Sequence, residues 1–514
     1  MTLQNNKKSL LNKNQIKYGA ILSYALIVLN TVYGLVISPY TLSMLGESSY
    51  GVYKTIASFS SSLLVLDLGI GTTVMRYTAK YRAEKQEEKI GNFVALGLIE
   101  ASIMASILII VSVVIYFSLD FVYSSSFTVS ELGLAKVVFS IMAVNMVGTI
   151  IENVLAGTIS GMNQFIFTNG YKLFLLIVRM VLLIVTLRIW HSAVILVSIS
   201  LFITIIGLIV DYIYIRRKLK IKIHLNRWEP DVFRESLGYT ALMFIQTLAV
   251  QANGNIDNVV IGAVIGSAAV TVYSFGIQLF NMYESLATSF SNLMLPSVSV
   301  KIANKASDYE MQAMVTQVGR YQFIVLGAAL SGFIVLGKEF LLLWLGKGFE
   351  DVYFLSLIMM VPVTFTLIEN VCLSILRARN MMKFRTLSLI ASAIFNATVT
   401  IIGTKIWNYY AAAIGTGASI VFGSIIMMNI YYHKNIGFKV FKFYKDVLHK
   451  ILFCLIIPSV IIALINHFWF GTWIIFLTKV MVYLVIYSCL LWMLGMNDSE
   501  KKMFGNRFLR KENS

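Results

Sequence analysis

The sequence predicts an all-α, polytopic membrane protein of about fourteen transmembrane helices, built as two pseudo-symmetric six-helix lobes plus a C-terminal helix pair. Three observations predict it. Of 514 residues, 58% are hydrophobic and 13% charged, where a soluble domain carries about 25% charged residues. Apolar runs of roughly 20 residues recur along the whole length, each long enough to cross ~30 Å of hydrocarbon. The chain also matches itself. Gly46 and Tyr53 fall on Gly266 and Tyr273 at an offset of 220, and Ile151-Glu152-Asn153-Val154 falls on Ile368-Glu369-Asn370-Val371 at 217. Ile189-Trp190 on Ile406-Trp407, and Asn163 on Asn380, repeat the offset of 217. Landmarks in order at nearly one offset mark an internal duplication.

In chain order the spans fall near 17–39, 50–76, 92–118, 134–159, 165–187, 193–215, 235–257, 267–296, 312–336, 352–376, 384–404, 408–432, 446–466 and 472–494. The basic stretch Ile215–Arg234 is the seam of the duplication. The domains expected are a lobe over 1–222 with a cytoplasmic tail 1–16, a lobe over 223–440, helices thirteen and fourteen over 441–496, and a cytoplasmic tail 497–514. Six spans per repeat is an even number, so both copies enter the membrane from the same side, as in transporters whose halves are related by an axis along the membrane normal.

Lys and Arg sort to alternate connections. Lys7, Lys8 and Lys13 precede the first span; Arg76, Lys80, Arg82 and Lys85 follow the second; the seam follows the sixth; Lys439, Lys442 and Lys445 follow the twelfth. By the positive-inside rule both termini are cytoplasmic in a multi-pass plasma-membrane protein. The formal charge of +17 is therefore an orientation signal and excludes a nucleic-acid footprint. Cys372, Cys454 and Cys489 lie in apolar runs and read as core side chains. The histidines lack metal-ligand spacing, and no P-loop, nucleophile elbow or zincin motif occurs, so no enzyme activity, cofactor or metal is expected.

Polar residues inside spans must face protein or water. At 100° per residue Lys54, Ser58, Ser61, Thr72 and Arg76 share one face of the second span. Ser274, Gln278, Asn281, Ser285 and Asn292 share one face of the eighth, its counterpart. Either helix–helix hydrogen bonding or the lining of an aqueous cavity explains such stripes, and their length favours the cavity. The seventh span adds Gln246, Asn253 and Asp257 on one face. Arg179, with Lys172 on its face of the fifth span, is the most deeply placed cation. It needs either a ligand or a carboxylate such as Glu152. Arg320 is a further cation available to an anionic ligand. Glu152 and Glu369 occupy equivalent places in the two repeats, and with Asp257 they are candidate coupling carboxylates for H⁺ or Na⁺, or else pins between helices.

Leu45-Gly46 through Tyr50-Gly51-Val52-Tyr53, then Asp67-Leu68-Gly69-Ile70-Gly71 and Arg76, resembles the first hairpin of the bacterial Wzx-like polysaccharide-transport proteins of the multidrug/oligosaccharidyl-lipid/polysaccharide exporter superfamily. Ile265-Gly266 to Tyr273 is similar to a weakened second copy. The resemblance implies a flippase that carries polyprenyl-diphosphate-linked oligosaccharide from the cytoplasmic to the outer leaflet by alternating access. Its implied partners are that lipid-linked substrate and membrane lipids, with a polysaccharide polymerase and glycosyltransferases as candidate protein partners. A lipid II flippase and a cation-coupled drug antiporter of the same superfamily are the nearest alternatives. A membrane-embedded glycan polymerase or ligase is the alternative of another class.

The topology is directly testable. Single cysteines at Ser48, Asn226 and Ser499, introduced into a cysteine-free variant, are probed on intact cells with an impermeant thiol reagent. Ser48→Cys alone is expected to label. Labelling of Asn226→Cys from outside overturns the assignment.

Overall fold

The computed structural model describes residues 2–67, 69–225, 251, 254–303, 307–379, 381–469, 471–498 and 500–501. Described residues are almost entirely helical and include no strand. Ten helices among them are long and apolar enough to cross a membrane. The seam from 226 onward, most of the seventh span with Gln246 and Asn253, and the side chain of Asn292 lie outside the described residues. The chain divides into two compact units, Met1–Thr271 and Val272–Ser514.

The first unit begins with α1, Thr2–Leu63, which carries the first span and most of the second in one run. The two are separated by a kink at Gly46 (φ 74°, ψ 168°), backbone that only glycine adopts without strain. Gly266, its counterpart in the duplication, also has positive φ (124°). The second span is not continuous, contrary to the single run 50–76. A 3₁₀ turn, Leu64–Asp67, and a left-handed Gly69 (φ 68°, ψ 28°) separate α1 from α2, Ile70–Ala83. Then come α3, Glu87–Tyr123, and α4, Val129–Gly161. A Thr128–Glu131 capping box starts α4: the Thr128 amide donates to Glu131 Oε2 at 2.7 Å and the Glu131 amide to Thr128 Oγ1 at 3.3 Å. Helices α5, Phe165–Ile189, and α6, Ala193–Lys218, follow, the latter ending in a π turn over Tyr214–Lys218. A further helix, α7, covers 254–264.

Close helix crossing explains the glycines of α2 and α4. A Cβ on Gly161 would lie 2.7 Å from the Met75 carbonyl oxygen, and one on Gly157 would collide with the Gly71 carbonyl. Ile70, Val74, Tyr77, Phe93, Ile150 and Val154 fill the space around this crossing, with Tyr77 and Phe93 stacked at 4.5 Å.

The second unit contains most of α8, Ser267–Ala303, then α9, Asp308–Leu345, and α10, Asp351–Ile368. The tenth span also breaks: Glu369 and Asn370 form a turn before α11, Val371–Ala378. Helices α12, Lys383–Trp407, α13, Tyr410–Ile436, α14, Val440–Phe468, and α15, Trp473–Gly495, complete it. The last two are the expected C-terminal pair, and α9 is their support. Near one end, the Lys479 ammonium meets Glu339 Oε2 at 2.7 Å and donates to Asn466 Oδ1 at 2.7 Å. Along the middle, the Tyr483 and Tyr487 hydroxyls donate to the carbonyls of Ala328 and Ile324 at 3.2 and 2.8 Å. At the other end, Arg320 binds Glu500 through Nε at 2.7 Å and Nη2 at 3.1 Å. Cys372 and Cys454 are buried, whereas Cys489 is exposed on α15, so that one is not a core side chain.

The Lys479–Glu339 pair is almost wholly buried. Removing one partner of such a pair strands a charge and costs about 3–5 kcal/mol, whereas replacing both is tolerated. Glu339→Gln is therefore expected to lower the thermal unfolding midpoint sharply in detergent, and Glu339→Leu with Lys479→Met to recover most of it. Equal midpoints for the wild type and Glu339→Gln would show that the pair does not hold α15 in place.

Candidate functional site

Two cations and three tyrosines come together inside the first unit. The α1 helix supplies Tyr33 before its kink and Tyr50, Tyr53 and Lys54 after it; α5 supplies Arg179. The Arg179 guanidinium lies over the Tyr33 ring, 5.6 Å from its centre, and Nη2 donates to Ser200 Oγ on α6 at 2.9 Å. Its Nε is buried and makes no hydrogen bond among the described residues. The Lys54 ammonium lies 5.2 Å from the centre of the Tyr50 ring, and the Tyr50 and Tyr53 rings are 6.3 Å apart. Tyr33 is within electrostatic reach of Arg179, Tyr53 and Tyr50 together. Ring faces hold a cation by their quadrupole without neutralising it. No carboxylate forms an ion pair with either cation among the described residues.

Below Lys54 the same face of α1 continues as a hydrogen-bonded seam with α7 and its neighbours. Asn258 Nδ2 donates to Ser58 Oγ at 2.8 Å, Ser61 Oγ to the Ser58 carbonyl at 2.9 Å, and Gln251 Nε2 to the Ser61 carbonyl at 3.1 Å. Asp257 is fully buried, and Arg76 is exposed on α2. On α8 in the second unit, Ser274 is buried, Gln278 half-buried and Asn281 exposed.

The expected partner of Arg179 does not approach it. Glu152 packs against Gly207, where a Cβ would lie 2.6 Å from its Oε1. The cation that acts on Glu152, and on Asp211 beside it, is Lys172. Helical spacing put Lys172 and Arg179 on one face, but it could not say which of them α4 and α6 would meet. In the second unit Glu369 is buried and accepts from Asn429 Nδ2 at 3.4 Å and from the Tyr444 hydroxyl at 2.9 Å. Arg320 is buried with every guanidinium nitrogen engaged: besides Glu500, Nη1 donates to the Asp446 carbonyl at 2.9 Å and Nη2 to that of Gly495 at 2.7 Å. Tyr33, Tyr50 and Tyr53 were not among the site residues expected from the sequence; Tyr50 and Tyr53 entered there only in the repeat and the family motif. The adjacency of Tyr53 and Lys54, one turn after Tyr50, is the signal that was there.

This bundle of long apolar helices has counterparts among solved structures. The fold is similar to that of "Lipid II flippase MurJ, inward closed conformation", with a TM-score of 0.72, 14% identity and coverage of 96% of this chain and 99% of that one. It is also similar to an inward-facing multidrug resistance MATE family transporter of the MOP superfamily, with a TM-score of 0.65, 12% identity and coverage of 80% and 95%. A MOP superfamily transporter from Pyrococcus furiosus aligns with a TM-score of 0.53 at 13% identity, over 82% of this chain and 97% of that one. At such identities the likeness shows the fold alone. No curated protein sequence matches the chain. The sequence pattern described as "Polysaccharide biosynthesis protein" matches residues 16–300, more than half of the chain. The chain belongs to that polysaccharide biosynthesis family, as its resemblance to the Wzx-like proteins implied.

Proposed function

We propose that the protein moves an oligosaccharide linked to a polyprenyl diphosphate from the cytoplasmic to the outer leaflet by alternating access, with both termini in the cytoplasm. The observation that carries this reading is the state of Arg179. A central arginine costs about 2.5–3.5 kcal/mol on insertion scales, yet this one is bound by a hydroxyl and a ring face and keeps an unused donor. A guanidinium fork fits the paired oxygens of a phosphate, and the Lys54 ammonium adds a second point charge. Tyrosines offer flat apolar faces with a polar rim, which suits a sugar ring. Arg320 is satisfied within the protein, so the diphosphate is assigned to Arg179 and Lys54.

The family supports a polysaccharide substrate. The C-terminal pair α14–α15 favours a long lipid-linked cargo over a drug, since the multidrug transporter covers only 80% of this chain while the lipid II flippase covers 96%. Coupling to an H⁺ or Na⁺ gradient is assigned to a carboxylate among Glu152, Asp257 and Glu369, of which Asp257 and Glu369 are buried and Glu152 is half-buried.

Arg179→Ala is expected to abolish surface glycan, and Arg179→Lys to retain part of it, at matched protein levels. Because the cation that acts on Glu152 is Lys172 and not Arg179, adding Glu152→Gln to Arg179→Ala is expected to give no rescue. Surface glycan restored in the double variant would make Arg179 a structural ion-pair member and remove the main support for this reading.

A further inference from the structure

The break in the second span leaves a carboxylate oxygen unused inside the protein. Asp67 ends the 3₁₀ turn Leu64–Asp67. Its Oδ2 accepts from Asn153 Nδ2 on α4 at 3.1 Å, whereas Oδ1 is fully buried and has no hydrogen-bond partner. No ion pair reaches Asp67 among the described residues; Asn153 is the side chain that acts on it. The elements packed around the turn carry Glu47 and Lys54 on α1, Arg76, Lys80 and Arg82 on α2, Glu87, Glu88, Lys89, Glu100 and Asp120 on α3, and Glu131, Lys136 and Glu152 on α4, and none of them forms an ion pair with Asp67. Arg76 is exposed, Glu100 is buried, and Glu152 is turned against Gly207.

A lone buried carboxylate oxygen is costly unless something neutralises it. The turn itself offers help of the right sign. A helix that ends in mid-membrane leaves its last carbonyl groups outside the hydrogen-bonded ladder, and those oxygens suit a cation. The geometry is also fixed. Gly69 can hold its left-handed conformation, and Gly71 lets α2 approach so closely that a Cβ there would sit 2.7 Å from the Asn153 carbonyl oxygen. The residue that hydrogen-bonds Asp67 therefore also forms the wall against which the break is packed.

We propose that Asp67, at the break in the second span, binds a small monovalent cation, a proton or Na⁺, through its free carboxylate oxygen and the last carbonyls of the preceding turn. The site is separate from Glu152, Asp257 and Glu369. It rests on the reading of the chain as a gradient-coupled transporter only for its purpose, not for its chemistry. Glu369 accepts on both of its carboxylate oxygens, whereas Asp67 Oδ1 accepts from nothing.

The test uses the purified full-length protein and needs no lipid-linked sugar. Thermal unfolding is followed while Na⁺ replaces K⁺ at constant ionic strength, and separately as pH is varied between about 5 and 8. If the ion is Na⁺, the wild-type midpoint rises with Na⁺ over K⁺ and Asp67→Asn loses the rise. If it is a proton, Na⁺ has no effect, the wild-type midpoint falls as pH rises, and Asp67→Asn loses that component. Asn153→Ala, which keeps the carboxylate but removes its positioning partner, is expected to raise the half-maximal Na⁺ concentration about tenfold or more, as outer-shell losses do, or to shift the pH midpoint. This variant keeps the test decisive if Asp67→Asn does not fold. Identical Na⁺ and pH responses in the wild type and Asp67→Asn, or an unchanged response in Asn153→Ala, overturn the proposal. Either result leaves the Arg179 export experiment unaffected, so the two readings fail separately.

Discussion

An ionised group in hydrocarbon must be paired, be partly satisfied by dipoles and rings, or be kept for a ligand, because the bilayer offers no water to solvate it. That constraint sorts the interior charges of this protein into kinds. Lys479 with Glu339, and Arg320 with Glu500, are paired and hydrogen-bonded throughout. They hold the C-terminal helices to α9 and have nothing left for a ligand. Glu369 is buried, accepts hydrogen bonds from a tyrosine and an asparagine, and has Arg385 as the cation that acts on it. Arg179 and Lys54 rest on tyrosine rings, which lower the cost of burying a cation and leave its charge in place. The proposed binding of a diphosphate uses this last arrangement, because a carrier must bind an anion and then release it.

The backbone obeys a related constraint. Helices in lipid satisfy their own amides and carbonyls, so a break at membrane depth is tolerated only where protein or a cavity covers it. The second span breaks at Leu64–Gly69 and the tenth at Glu369–Asn370. Each break carries a carboxylate that is held by an asparagine from another helix: Asp67 by Asn153, and Glu369 by Asn429. The breaks do not occupy equivalent places in the duplication, since Glu369 corresponds to Glu152 in the unbroken α4. The two repeats keep a common helical plan, visible in the positive φ of Gly46 and Gly266, and differ where polar chemistry is inserted.

How much of this was legible depended on the range of the interaction. Hydrophobic runs are local, so the all-helical membrane fold and the final helix pair could be read directly. Gly46 and Gly266 were legible as landmarks of the duplication, and their positive φ came only with the structure. The break at Asp67 was not, because hydropathy does not register a change of dihedral angles inside an apolar run. Long-range partners were least legible of all. The face shared by Lys172 and Arg179 followed from helical spacing, but their division between Glu152 and Ser200 depends on how α4 and α6 pack against α5. Arg320 looked like a free cation because its partner lies far along the chain at Glu500.

The central claim is that the chain translocates a lipid-linked sugar whose diphosphate is held by Arg179 and Lys54. The most direct measurement reconstitutes the purified protein in vesicles loaded with a fluorescent oligosaccharide on a polyprenyl diphosphate. It then follows how fast the labelled headgroup in the inner leaflet becomes accessible to an impermeant quencher outside. The account predicts rapid exposure with the wild type and loss of that rate with Arg179→Ala. Exposure no faster than in protein-free vesicles under an imposed H⁺ or Na⁺ gradient, or an undiminished rate in Arg179→Ala, would contradict it.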